Sequence, residues 1–270
     1  GEGAGATWVS VPTNNQWQLT SAQWTAAMQQ KLGLVEVPQG TVCQLPKEDD
    51  EICGRTVDCN AHHPSLRGGK VRLRTHNGLK TLLATDMVAE GATVDIERRI
   101  PELYETTREG RVVEAIMDLC VSWPAAGRRH LIDVTVRCPV ADRYTDAWTM
   151  PGRASAEGAK DKFRRYGPTV STLPMESLGR LGTEGHSTLR ALAQDAAVYG
   201  RWRLGRRPGF NMRELRLKLE ATLLRLEADA LLLALGCRAT SALGWTAPTV
   251  NRRARDSVVT LSPAVPALSL

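Results

Sequence analysis

Ile116-Met-Asp-Leu-Cys-Val-Ser-Trp-Pro-Ala-Ala-Gly-Arg-Arg-His-Leu-Ile-Asp-Val-Thr-Val-Arg137 is the stretch on which the fold turns. Two apolar, β-branched runs flank Pro124-Ala-Ala-Gly127, which reads as a turn, so the spacing predicts a hairpin of strands over Val112–Trp123 and His130–Arg137. Each strand carries one carboxylate among apolar neighbours, Asp118 in the first and Asp133 in the second. A carboxylate so placed is unfavourable unless it is paired or bound to a cation. An ordinary register across the turn brings Asp118 beside Asp133. Two such acids repel each other, and a divalent cation is the usual remedy; hard oxygen donors with open water positions suit Mg²⁺ or Mn²⁺. A metal held this way can activate a water and stabilise charge on a phosphoryl oxygen. The plainer reading is a pair of strand aspartates that face water.

Working outward, His76–Glu90 carries Leu79, Leu82, Leu83 and Met87 at helical spacing and stops at Gly91. Thr93–Arg99 alternates as a half-buried strand does. Ala154–Tyr166 reads as a helix ended by Gly167-Pro168, and Thr169–Met175 as a short strand. The order α, β, β, β, α, β over residues 76–176 makes the chain an α/β protein. Glu97 on the first strand is a candidate further ligand, and the helix after the hairpin supplies Lys160 and Lys162. Lys162 lies one turn before Tyr166 and can point back to the sheet, where a lysine would orient the nucleophile or offset phosphate charge; a solvated helix face is the alternative. Cys120 and Cys138 read as small buried strand residues.

Outside this core, Ser21 can cap a helix over Ala22–Leu32 that Gly33 ends. Residues 36–75 are irregular and hold Cys43, Cys53 and Cys59 beside His62 and His63. Ser187–Ala197 and a longer helix capped by Asn211 and running to Leu235 follow, the latter with a leucine stripe suited to core packing. The expected divisions are an N-terminal segment over 1–40, a Cys/His segment over 41–75, the α/β core over 76–182, a helical extension over 183–236 and a disordered tail over 237–270.

The 270 residues, 42% hydrophobic, suffice for one large domain or two small ones with a real core. No run approaches 18 apolar residues, and no basic stretch followed by an apolar run opens the chain, so neither a membrane span nor a secretory signal is expected. Six cysteines without a signal peptide point to a reducing, intracellular setting. The chain begins with Gly1, which suggests a piece of a longer reading frame. Net charge is +6, and 28 of the 35 basic residues are arginine, whose planar fork binds phosphate in bidentate fashion. Nucleic acid is therefore favoured over acidic small molecules or membranes. Arg201-Trp-Arg203 with Arg206 and Arg207 is a candidate backbone contact in which Trp202 stacks on a base; a solvated basic loop is the alternative.

Several of these motifs in series resemble one known domain. Val112-Val-Glu-Ala-Ile-Met-Asp118, Leu131-Ile-Asp-Val-Thr-Val-Arg-Cys-Pro139 and Lys162-Phe-Arg-Arg-Tyr166 look like the C-terminal restriction-endonuclease-like region of site-specific non-LTR retrotransposon polyproteins, of the trypanosomatid spliced-leader-associated type. Cys53-Gly-Arg-Thr-Val-Asp58, His63, Gly68-Gly69, Arg74-Thr-His76 and Met175-Glu-Ser-Leu-Gly-Arg-Leu-Gly182 follow the same order, so the likeness spans about residues 6–236. It implies a restriction-endonuclease-like αβββαβ core that nicks target DNA to prime reverse transcription in the nucleus, with element RNA as a further partner. Asp118 and Asp133 would be its Mg²⁺-binding acids, Lys162 its catalytic lysine, and Arg74, His76, Arg165 and Tyr166 would lie toward nucleic acid. In the common form of such sites the lysine stands two residues after the second acid, where this chain has Thr135. The resemblance also implies a Zn²⁺ knuckle, to which Cys43, Cys53 and His63 correspond; its last cysteine would fall near Leu66–Arg67, where there is none, and Cys59 or His62 are the substitutes at hand. A reverse transcriptase signature is absent from the 270 residues. The competing expectation is a catalytically decayed module that keeps only nucleic-acid binding.

Overall fold

A computed structural model describes residues 18–47, 49–58, 70–144, 146, 149–200, 211–237 and 259–261. The elements are α1 (Ser21–Leu32), α2 (Lys70–Ala89), β1 (Thr93–Arg99), β2 (Glu105–Thr106), β3 (Val112–Val113), β4 (Ile116–Ser122), β5 (Arg129–Arg137), α3 (Arg153–Tyr166), β6 (Val170–Glu176), β7 (Arg180–Leu181), α4 (Thr183–Tyr199), α5 (Met212–Ala234) and β8 (Val259–Leu261). The expected α/β class holds. Six strands form one sheet in the order β7-β6-β5-β4-β1-β8, and β2 pairs with β3 separately. β5 and β6 are parallel, joined by the crossover through α3, while every other pair in the sheet is antiparallel. The hairpin that opened the sequence reading is therefore the centre of the sheet.

The core explains this arrangement. Leu79, Leu83 and Met87 of α2 pack with Leu119, Ile132, Val134, Leu173 and Met175 of the sheet, and Leu189, Leu192, Leu215 and Leu219 of α4 and α5 close the same cluster. A second cluster joins α1 and the Cys/His segment to the far half of α5 through Ala26, Cys43, Leu45, Cys53, Ala228, Leu231 and Ala234. Helix α5 thus buttresses both the sheet and the N-terminal part, and its leucine stripe is core.

The boundaries differ from expectation in four places. The strand expected over Val112–Trp123 is divided into β3 and β4, and between them the Ala115 carbonyl accepts from Ile100 N–H at 2.9 Å. Thr20, not Ser21, caps α1: its side chain accepts from Gln23 N–H while the Gln23 side chain returns to the Thr20 N–H. Helix α2 starts at Lys70, so the last residues of the segment expected to be irregular are helical. Within the Cys/His segment, bridges Val42–Thr56 and Pro46–Ile52 bring its two arms together. Residues 259–261, placed in the tail by composition, pair antiparallel with β1.

Candidate active site

The register of the sheet sets the site. The β4–β5 ladder runs from Ser122–Arg129 to Leu119–Ile132 and stops there, so the next level is that of Asp118 and Asp133. On the other side of β4, pairs Ile96–Leu119 and Arg98–Met117 put Glu97 level with Asp118. Three acids therefore stand in one row across three neighbouring strands. Glu97 has φ 56, a left-handed conformation that a side-chain-bearing residue adopts at an energetic cost.

Asp118 substitutes for the missing rungs of the ladder. Its Oδ2 accepts from the Val134 N–H at 2.7 Å and from His76 Nε2 at 3.0 Å, and the same His76 nitrogen lies 3.1 Å from the Val134 carbonyl. Burial works against charge on the His76 ring, yet the hydrogen bond and charge of Asp118 outweigh it and raise the pKa. Asp133 is almost wholly buried; its Oδ2 accepts from Lys162 Nζ at 2.7 Å, and its Oδ1 has no partner. Burial and the Asp118 charge push its carboxyl above the usual range, against the pull of Lys162. An orphaned buried carboxylate oxygen beside a second acid is the donor set that a hard cation takes up.

The proposed site residues thus fall into groups. Asp118, Asp133 and Lys162 come together, and His76 joins them. Glu97 is turned instead to Lys80, whose Nζ lies 2.5 Å from its Oε1. Arg165 donates to the Glu114 carbonyl at 3.1 Å and its guanidinium stands 4.9 Å over the Tyr166 ring, which Lys162 also approaches. Arg74 pairs with buried Asp229 at 3.6 Å. Cys43 and Cys53 are buried in the N-terminal cluster, while Cys59, His62 and His63, like Arg201, Trp202, Arg203, Arg206 and Arg207, lie outside the described residues. Among the described residues, no set of three or more His, Cys, Asp or Glu is placed to hold a metal ion.

Lys80 is the site residue that sequence reasoning missed. Its side chain is only 4% exposed, one helical turn after His76 and inside the apolar stripe of Leu79, Leu82, Leu83 and Met87. A lysine within such a stripe was the available signal. Comparison with models of known families, with curated proteins and with solved structures finds no match. Among the described residues no helix is long and apolar enough to cross a membrane.

Proposed function

We propose that this chain carries a restriction-endonuclease-like domain that hydrolyses a DNA phosphodiester with the help of Mg²⁺ or Mn²⁺. The observation that carries the reading is the junction at the end of the β4–β5 ladder, where Asp118 and Asp133 meet, Lys162 engages one Asp133 oxygen and the other is left without a partner. Asp118 and Asp133 would hold the cation, which when bound would polarise the phosphoryl oxygen and lower the pKa of a bound water. Lys162, whose Nζ lies 2.7 Å from Asp133 Oδ2, would orient an attacking water and offset negative charge as it builds on the phosphate. His76 fixes the Asp118 carboxylate through Nε2 and ties it to the Val134 carbonyl of β5. The excess of arginine supports a polyanionic substrate. Its setting beside a reverse transcriptase, as the enzyme that nicks the priming site in the nucleus, rests on the motif resemblance.

The test is nicking of supercoiled plasmid with Mg²⁺ or Mn²⁺ beside Asp133→Ala, together with thermal melts with and without the metal. Nicking that needs the cation and disappears in the variant is expected. A cation present at about a hundred times its dissociation constant should stabilise the wild type by about 2.7 kcal/mol and leave the variant unmoved. DNA binding without nicking, unchanged by the substitution, would replace this reading with that of a binding module.

A further inference from the structure

Beyond the paired acids, β5 leads to a cluster of arginines that the hydrolytic step does not use. Arg137 ends β5, four residues after Asp133, and Arg143 follows in the next loop. Asp161 of α3, next to Lys162, accepts from Arg137 at 3.3 Å and from Arg143 at 3.1 Å, and Arg164 approaches its other oxygen at 3.5 Å. Three guanidinium groups thus gather around one carboxylate.

Two features show that this cluster is built into the fold. The Nε of Arg137 is buried without a partner, and the buried Tyr144 hydroxyl has the Arg143 guanidinium beside it but no hydrogen bond of normal geometry. Arg143 stacks 4.6 Å over the Tyr144 ring, which fixes its plane. The interior of α3 also makes room for Arg137 at Gly158, where an added Cβ would lie 3.1 Å from Arg137 Cγ and 3.2 Å from its Nε. Glycine inside a helix costs about 1 kcal/mol relative to alanine, so the helix gives up stability to seat Arg137 beside Thr135.

We propose that Arg137 and Arg143 form a phosphate subsite that holds the DNA backbone away from the scissile bond. Four strand residues at about 3.3 Å each set Arg137 about 13 Å along β5 from Asp133, so the two sites would engage different phosphates. Asp161 keeps the guanidinium groups oriented in the free protein, and the backbone phosphate takes the donors it leaves open. The subsite rests on the nuclease reading for its substrate, but its test does not depend on cleavage.

The test measures binding of a fluorescent DNA duplex by anisotropy in EDTA over a range of salt. The proteins compared are the wild type, Arg143→Gln, Arg137→Gln and Arg108→Gln, the last an exposed arginine between β2 and β3 that serves as a charge-matched control. Each lost phosphate contact should flatten the slope of log K against log salt by about 0.9, with affinity at moderate salt falling about tenfold, while the control stays close to wild type. Arg143 is half exposed, so its variant should fold even if Arg137→Gln does not. Slopes unchanged in both variants, or shifted equally in the control, overturn the subsite. Plasmid nicking that persists with unchanged slopes removes the subsite and keeps the nuclease; altered slopes without metal-dependent nicking keep the subsite and remove the nuclease. Inorganic phosphate at millimolar concentration should compete in the wild type more than in Arg143→Gln, and equal competition counts against a built anion site.

Discussion

Asp118 separates structure from chemistry in a way that two substitutions resolve. In Asp118→Ala the Val134 N–H, in a residue only 2% exposed, loses its acceptor, because the β4–β5 ladder has already ended and no strand carbonyl replaces it. A buried donor left unsatisfied costs about 1–3 kcal/mol, and the hydrogen bond from His76 is worth about 1 kcal/mol more. Relief of the repulsion with Asp133 returns part of this, which leaves a loss of about 2–3 kcal/mol. For a chain of this size that is a fall of roughly 4–12 °C in melting temperature. Asp118→Asn keeps a carbonyl oxygen for Val134 and His76, so it should melt within about 3 °C of the wild type. Chemistry does not follow this order of severity: both substitutions remove an anionic ligand, and nicking should fall by at least about a hundredfold in each. Circular dichroism melts and plasmid nicking read the two effects separately. An alanine variant that melts with the wild type would refute the claim that Asp118 stands in for the missing rungs. An asparagine variant that nicks at the wild-type rate would refute its role as a metal ligand.

The Lys80–Glu97 pair should respond asymmetrically. Lys80 is 4% exposed and Glu97 44%, so Glu97→Gln strands a buried ammonium and should cost about 2 kcal/mol, whereas Lys80→Met leaves a carboxylate that water can reach and should stay within about 1 kcal/mol of the wild type in urea unfolding. Asp195 should govern part of the acid limb. Burial pushes its carboxyl up, but the donors Arg128 and His130 outweigh this and hold it below the usual range, so its stabilisation is present above about pH 4 and is lost as pH falls through the lower, folded value. Asp195→Asn should therefore be less stable than the wild type at pH 7, with the gap closing below pH 4 in urea titrations; a gap that stays constant to pH 2 would show that the charge plays no part.

Legibility in the sequence followed how local each cause is. The central hairpin was readable because a two-residue alternation and a Pro-to-Gly turn are local, and Asp118 and Asp133 stood out because acids are rare in such runs. The His76 bond to Asp118 spans 42 residues and depends on how α2 lies on the sheet, which no periodicity encodes. The left-handed Glu97 and the pairing of residues 259–261 with β1 are likewise decided by tertiary contacts that override local preference. The two lysines of α3 lie between these extremes. Residues two apart on a helix point roughly 200° from each other, so Lys160 and Lys162 could not both face the sheet. Tyr166 breaks the tie: it is aromatic, one turn beyond Lys162, and buried in the cluster of Met117, Leu131 and Val170. The face that buries Tyr166 brings Lys162 onto Asp133, while Lys160 remains 57% exposed and pairs with Glu157. Helical phase plus one buried aromatic was enough to choose between them, whereas spacing on the strand would have pointed to Thr135, a position with no amine to offer.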